Sequence, residues 1–419
     1  MTSITDLTGS LQTLLTTTAN RLAKATGFIQ RQRVITGAGF AQAVVLGRLD
    51  APDGSRRQLQ QSAGQVGMPL SVQGLDQRFT PTAVAFMRGL VEEGLNDVIT
   101  QETALAPHLA RFNGVYITDG TRVVWPSGVG VKVGVRLNLQ DGAVQACLTE
   151  LPVNDQKLVV VDAALPVGAL HVGDLGFFKL KRFQTWSAQG VWWLTRYKVG
   201  TRLTMPDGQP IVLKTLLQGD DPLRLPVRMG TGAHAVDGWL LAAPLPPAER
   251  PKRLARLREQ VRLDQRPLSP AQLDLALWTL YVTNIPDLTF DLAHILGRTR
   301  WQIELLFKHW KSDGGLVRSR SADPIRQQVE GYAKLLGLLI AHWCLLVADW
   351  NPDALSPTDA LHLLRTQLSQ LRYALIALVP ITHFFRFLRF ALANAVPRQP
   401  RPRRPLVWQL WNAFALAIP

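Results

Sequence analysis

Cysteine is nearly absent: Cys147 and Cys344 are the only two in 419 residues. Two thiols build neither a disulfide framework nor a zinc cluster, and a reducing cytoplasm suits them. Long apolar runs are missing as well. The longest, LLGLLIAHWCLLVA at 335–348, contains His342 and Trp343; it is short for a membrane span and fits a buried core helix. The opening MTSITDLTGS has neither the basic start nor the apolar centre of a secretion signal. No internal repeat is visible. Acidic residues are few beside basic ones, 31 Asp+Glu against 46 Lys+Arg, a formal net charge of +15. Such a surplus favours a polyanion, nucleic acid or anionic membrane. With no membrane segment, the expectation is a soluble cytoplasmic protein that binds nucleic acid.

What is present is patterned in three parts. Residues 1–105 have helical apolar spacing, broken at Gly27 and at Gly37–Gly39, with a helix, short break and helix over 70–95. Arg21, Lys24, Arg31, Arg33, Arg56, Arg57 and Arg78 are scattered through it. A small helical DNA-binding domain and a merely solubilised surface explain them equally well.

Strands begin near residue 112. GVYITDGT holds an apolar strand ending at Asp119, and 130–153 reads as a hairpin about an Asp141–Gly142 turn. GALHVGDLGFFKLKRF gives a strand ending at Asp174 and then a helix to about Gln189; GVWWLTRYKV is a further strand. Three antiparallel strands, then strand, helix, strand, is the order of a ribonuclease-H-like mixed sheet. Residues 200–248 read as a β-rich insertion, 246–265 as a basic helix, and LALWTLYVTNIPD as a strand stopped by Asn284 and Pro286. The division that results is a helical domain at 1–105, a core at 106–350 interrupted at about 200–275, and a helical region at 351–419. VPRQPRPRRP (396–405) is either a basic clamp or a solvated connector.

One helix, from about Phe290 to Ser312, carries an unusual charge column. Arg300, Glu304, Lys308 and Lys311 recur at steps of four, four and three, beside an apolar stripe of Ile303, Leu306, Phe307 and Trp310. On its own this is a solvated face with weak ion pairs. Next to two strand-end aspartates it gains a chemical reading. In a ribonuclease-H-like sheet the first and fourth strands are neighbours, so Asp119 and Asp174 converge, and a helix across that edge brings Glu304 to them. Three close carboxylates repel unless a cation joins them. All-oxygen ligands select Mg²⁺ or Mn²⁺, and two such ions activate a water or 3′-OH and stabilise the leaving oxygen in phosphoryl transfer. Asp162 in LVVVDAAL is a rival for the second aspartate. Taken singly, Asp119 fits an ordinary turn, Trp301 a core position and Lys308 a solvated lysine.

ITDGT, HVGDLGFF and RWQIELLFKHWKS together resemble the DDE transposases of bacterial insertion sequences, specifically the IS4 group. That group's helix signature is Tyr, two residues, Arg, three residues, Glu, six residues, Lys. Arg300, Glu304 and Lys311 match it, and Trp301 and Ile303 fit its usual context. The signature Tyr falls at Gly297. The resemblance implies catalysis and metal binding by Asp119, Asp174 and Glu304, and DNA contacts by Arg300, Trp301, Lys308 and Lys311. It implies cleavage and strand transfer at terminal inverted repeats, two Mg²⁺ or Mn²⁺ ions, DNA ends and target DNA as partners, no membrane, and a dimer pairing the ends. A hairpin at the element end hangs on the missing Tyr, and a Gly297→Tyr change is expected to strengthen end binding or hairpin formation if the pocket for that Tyr persists. Two other readings stay open: a metal-dependent nuclease of the same fold without strand transfer, and a non-catalytic transposase-derived DNA-binding protein.

Overall fold

The computed structural model describes residues 2–31, 34–96, 99, 109–152, 163–265, 270–351 and 355–396. Helix α1 (Ile4–Gln12) passes through one π-helical stretch, Thr13–Thr18, into α2 (Ala19–Ala25), and Gly27 follows with φ +72°. Next come α3 (Gly37–Asp50), α4 (Arg56–Gln65), α5 (Val72–Asp76) and α6 (Pro81–Gly94). Each starts on a hydroxyl that accepts a first-turn N–H: Thr36, Ser55, Ser71 and Thr80. Gly37 and Gly39 therefore do not interrupt a helix. They form the first turn of one, because Thr36 caps it.

Strands β1 (Val115–Val124), β2 (Gly130–Asn138), β3 (Val144–Glu150) and β4 (Leu170–Gly173) precede α7 (Leu180–Ala188) and β5 (Trp192–Arg196). Then follow β6 (Leu203–Thr204), α8 (Leu213–Leu216), β7 (Leu223–Met229), β8 (Val236–Pro244), α9 (Arg250–Asp264), α10 (Pro270–Ala276) and β9 (Trp278–Thr283). The chain returns to helices with α11 (Phe290–Thr299), α12 (Trp301–Ser312), α13 (Pro324–Val347), α14 (Pro357–Thr366), α15 (Leu368–Leu375) and α16 (Ile381–Ala393).

Among the described residues the nine strands are ordered β3-β2-β1-β4-β5-β9-β8-β7-β6. β1 runs parallel to β4 and β4 to β5, whereas β2–β3, β5–β9, β9–β8, β8–β7 and β7–β6 are antiparallel. The sheet is mixed, and the inserted strands extend it beyond β9. The β2–β3 hairpin turns where expected, with Gly142 at φ +69° and Asp141 Oδ1 accepting from the Ala143 N–H.

Three boundaries differ from the sequence reading. β1 does not end at Asp119 but continues to Val124, its second half alternating buried Thr121 and Val123 with exposed Arg122 and Val124. The strand read at 275–287 starts only at Trp278, because Leu275 and Ala276 close α10. The helix read from Phe290 to Ser312 is two helices meeting at Arg300.

The chain divides into two compact units that cut across the three-part reading. One comprises residues 1–104, 120–161 and 303–403; the other 105–119, 162–302 and 404–419. In the first, α13 is the central element, packed against α3 and α6. It is long and apolar enough to cross a membrane by length and composition, yet 94% of its most apolar window is buried inside the protein. Gly331 admits the Trp125 indole: a Cβ there would stand 2.2 Å from Nε1. Buried charges tie α13 to the N-terminal helices. Glu330 accepts from Arg48 at 2.6 Å and from Arg326 at 2.7 Å, and Arg326 also pairs with Asp76. In the second unit, Phe183 and Trp186 of α7 pack on Trp193, Val282, Leu240 and Ala242 across one face of the sheet.

Candidate active site

Register places the aspartates. Val115, Tyr116 and Ile117 of β1 lie beside Leu170, His171 and Val172 of β4. Carried two steps further, the same offset sets Asp119 beside Asp174, which directly follows the last β4 residue in an extended conformation, φ −86° and ψ 165°. Side chains alternate along a strand, so both carboxylates project to the face of Ile117 and Val172. That face differs from the α7 face, where His171 meets the Thr118 hydroxyl at 3.0 Å and the Trp186 ring at 4.5 Å.

The row extends beyond the aspartates. Gly173 pairs with Thr195, so the next step brings Asp174 level with Arg196 at the end of β5. Arg196 in turn pairs with Tyr281 of β9. Asp119, Asp174, Arg196 and Tyr281 thus form one line across four neighbouring strands. Helix α11 packs on β4, β5 and β9. Thr289 caps its start by accepting from the Leu292 N–H, and its buried Ala293 and Leu296 face inward. Its far end delivers Arg300 to the aspartates. Arg300 Nη1 lies 3.7 Å from Asp119 Oδ2, and its Nε 3.7 Å from Asp174 Oδ1. These are ion-pair distances, longer than hydrogen bonds. Asp174 is 40% exposed and Asp119 20%, so both carboxylates reach the surface of the site.

α12 carries the rest of the charge column. Ile303, Phe307 and Trp310 are buried, Glu304 is half-buried and Lys308 is exposed. Burial pulls the Lys311 ammonium below its usual value. The Trp301 backbone opens α12; its side chain lies outside the described residues, as does all of Asp162. Among the described residues no three His, Cys, Asp or Glu side chains gather as a metal-holding group. What the fold brings together is the aspartate pair and Arg300.

Residues 129–340 match the family model described as the transposase DDE domain, a span of just over half the chain. The chain belongs to the DDE transposase family. It is similar to the transposase for insertion sequence element IS231F of Bacillus thuringiensis subsp. israelensis, 24% identical over 358 residues, covering 76% of this chain and 75% of that protein. It is also similar to the transposase for insertion sequence element IS1151 of Clostridium perfringens, 23% identical with 77% and 76% covered. A third relative is the transposase for IS231C of Bacillus thuringiensis subsp. berliner, 23% identical with 84% and 83% covered. The IS4-type resemblance read from residues 300–311 is borne out, and the chain is a DNA transposase.

The aspartates and Arg300 of this transposase were legible in its sequence. Arg196 and Tyr281 were not. Each looks like one residue of an ordinary strand, and only the pairing of β4, β5 and β9 shows that they are level with Asp174. Of the scattered N-terminal cations, Arg21 is paired with Glu93 and Arg56 with Asp76, while Lys24, Arg31, Arg57 and Arg78 are exposed. Arg33 and most of the Pro/Arg segment lie outside the described residues.

Proposed function

We propose that Asp119, Asp174 and Glu304 are the catalytic carboxylates of a cut-and-paste reaction at the terminal inverted repeats of an insertion sequence. The observation that carries this reading is the register-matched aspartate pair with Arg300 across both. Glu304 follows Arg300 by one helical turn. The strand order 3-2-1-4-5, antiparallel in β2–β3 and parallel in β1–β4–β5, supports a ribonuclease-H-like core.

The aspartate pair suits a hard divalent cation: its donors are all oxygen, partly exposed, and already neutralised by a cation in this structure. Two Mg²⁺ or Mn²⁺ ions held by Asp119, Asp174 and Glu304 would supply nucleophile activation and leaving-group stabilisation. Arg300 lies across the two carboxylates and places a guanidinium where a phosphate would approach them. Lys308 and Lys311 extend the cationic column from α12, and Trp301 adds a surface for an unstacked base. The exposed cations of the N-terminal helices recognise the repeats, and a dimer in the cytoplasm pairs two ends.

A strand-transfer assay with the native element ends tests this. Mg²⁺-dependent joining of a 3′-OH end to target DNA is the expected result. Hydrolysis without joining makes the protein a nuclease; end binding without either reaction makes it a non-catalytic DNA-binding protein.

A further inference from the structure

Tyr281 occupies the place where the family signature carries a side chain that this transposase lacks. A Cβ built on Gly297 would stand 2.7 Å from both Cε1 and the hydroxyl of Tyr281. The ring therefore rests on the backbone of α11, and any residue but glycine at 297 would displace it. Phe290 and His294 wall it in, with ring centroids 6.0 and 6.2 Å away, and its hydroxyl lies 3.3 Å from His294 Nδ1. Tyr281 is only 2% exposed, so it cannot be the group that meets DNA. Its cross-strand partner Arg196 can: that side chain is exposed.

We propose that Tyr281 is a positioning residue of this active site, seated in the space left by Gly297 and holding the Arg196 guanidinium level with Asp174 to receive a phosphodiester of the DNA strand. The proposal rests on the reading of the aspartate pair as catalytic. A narrow crevice joins the parts, lined by Asp174, Thr195, Arg196, Tyr281, Gly297 and Arg300. Arg196 lies directly across from Tyr281 on the neighbouring strand, and Arg196, Arg298 and Arg253 are within electrostatic reach of its hydroxyl. Burial raises the phenol's pKa, which keeps it neutral. Burial, with Arg298 and Arg196 nearby, lowers that of His294 and keeps the imidazole neutral at pH 7. The wall beside Arg196 is thus neutral and leaves the guanidinium charge for a phosphate.

The test is a double-mutant cycle on the full chain, read by equilibrium binding to a terminal-repeat duplex in Ca²⁺. Arg196→Gln is expected to weaken binding about tenfold and to lower the log–log salt slope by about one. Tyr281→Phe keeps the ring and removes the hydroxyl; it is expected to weaken binding several-fold, with the melting temperature little changed. The double variant should bind no worse than Arg196→Gln alone. A Tyr281→Phe chain that binds as wild type, or a double variant whose loss is the product of the two single losses, overturns the proposal. Binding is read without cleavage, so an Asp174→Asn chain that still cleaves would refute the catalytic reading independently.

Discussion

At the scale of single residues, alternation made the aspartates visible. Each ends or interrupts a short apolar strand segment where a polar residue is unexpected, and Arg300, Glu304 and Lys311 stand at helical spacing. Register was not visible, which is why Tyr281 and Arg196 were missed and why the state of the pocket at Gly297 stayed open. The expectation that Gly297→Tyr would strengthen end binding requires an empty pocket, and Tyr281 fills it. Gly297→Tyr is now expected to destabilise by about 1–3 kcal/mol through overpacking and to weaken end binding; a thermal melt beside a binding titration checks both. Lys311 separates surface decoration from phosphate contact. Lys311→Ala should cost under about 1 kcal/mol of stability. A lost charge-assisted contact should lower cleavage at subsaturating DNA by roughly 10- to 150-fold. Wild-type cleavage by that variant would make the α12 cations a solvated face.

At the scale of elements, the β2–β3 hairpin, α7 and the basic helix α9 were readable because each carries its own local signals: an Asp–Gly turn, an apolar period, a run of cations. The role of α13 was only half readable. Its composition announced burial, but its partners are distant in sequence. Glu330 lies between Arg48 and Arg326, all three nearly inaccessible. Glu330→Gln removes the charge that both guanidinium groups face, and about 3–5 kcal/mol of stability should go with it; chemical denaturation measures this directly. Histidines add a pH dependence. Burial lowers the pKa of His294, His309 and His342 in the folded chain from 6.5. The unfolded chain therefore binds more protons as pH falls through about 6.5. This contribution to stability is present above that value and is lost as pH falls below it, seen as a falling melting temperature. A melting temperature that rises as pH falls below about 6.5 would contradict the assignment.

At the scale of the whole molecule, net charge was the most legible property and domain division the least. The +15 balance points to DNA because each phosphate neutralised releases a counterion, with a log–log salt slope of about −0.9 per contact; a salt-independent affinity would remove that argument. Domain boundaries were drawn where the apolar period changed. The folded chain instead joins its N-terminal helices to α13 and draws a unit boundary within β1, after Asp119. No local signal marks such a boundary, since it depends on long-range packing. The proposed chemistry is concentrated on the row that begins with Asp119 and Asp174, and one measurement tests it most directly: Mg²⁺-dependent cleavage of a terminal-repeat duplex by Asp119→Asn, Asp174→Asn and Glu304→Gln, with Asp162→Asn as the control. Each of the first three should lose about a hundredfold or more in rate while end binding persists, and Asp162→Asn should cleave nearly as wild type. An Asp174→Asn chain that cleaves normally, with Asp162→Asn inactive, would place the second carboxylate elsewhere and contradict the account.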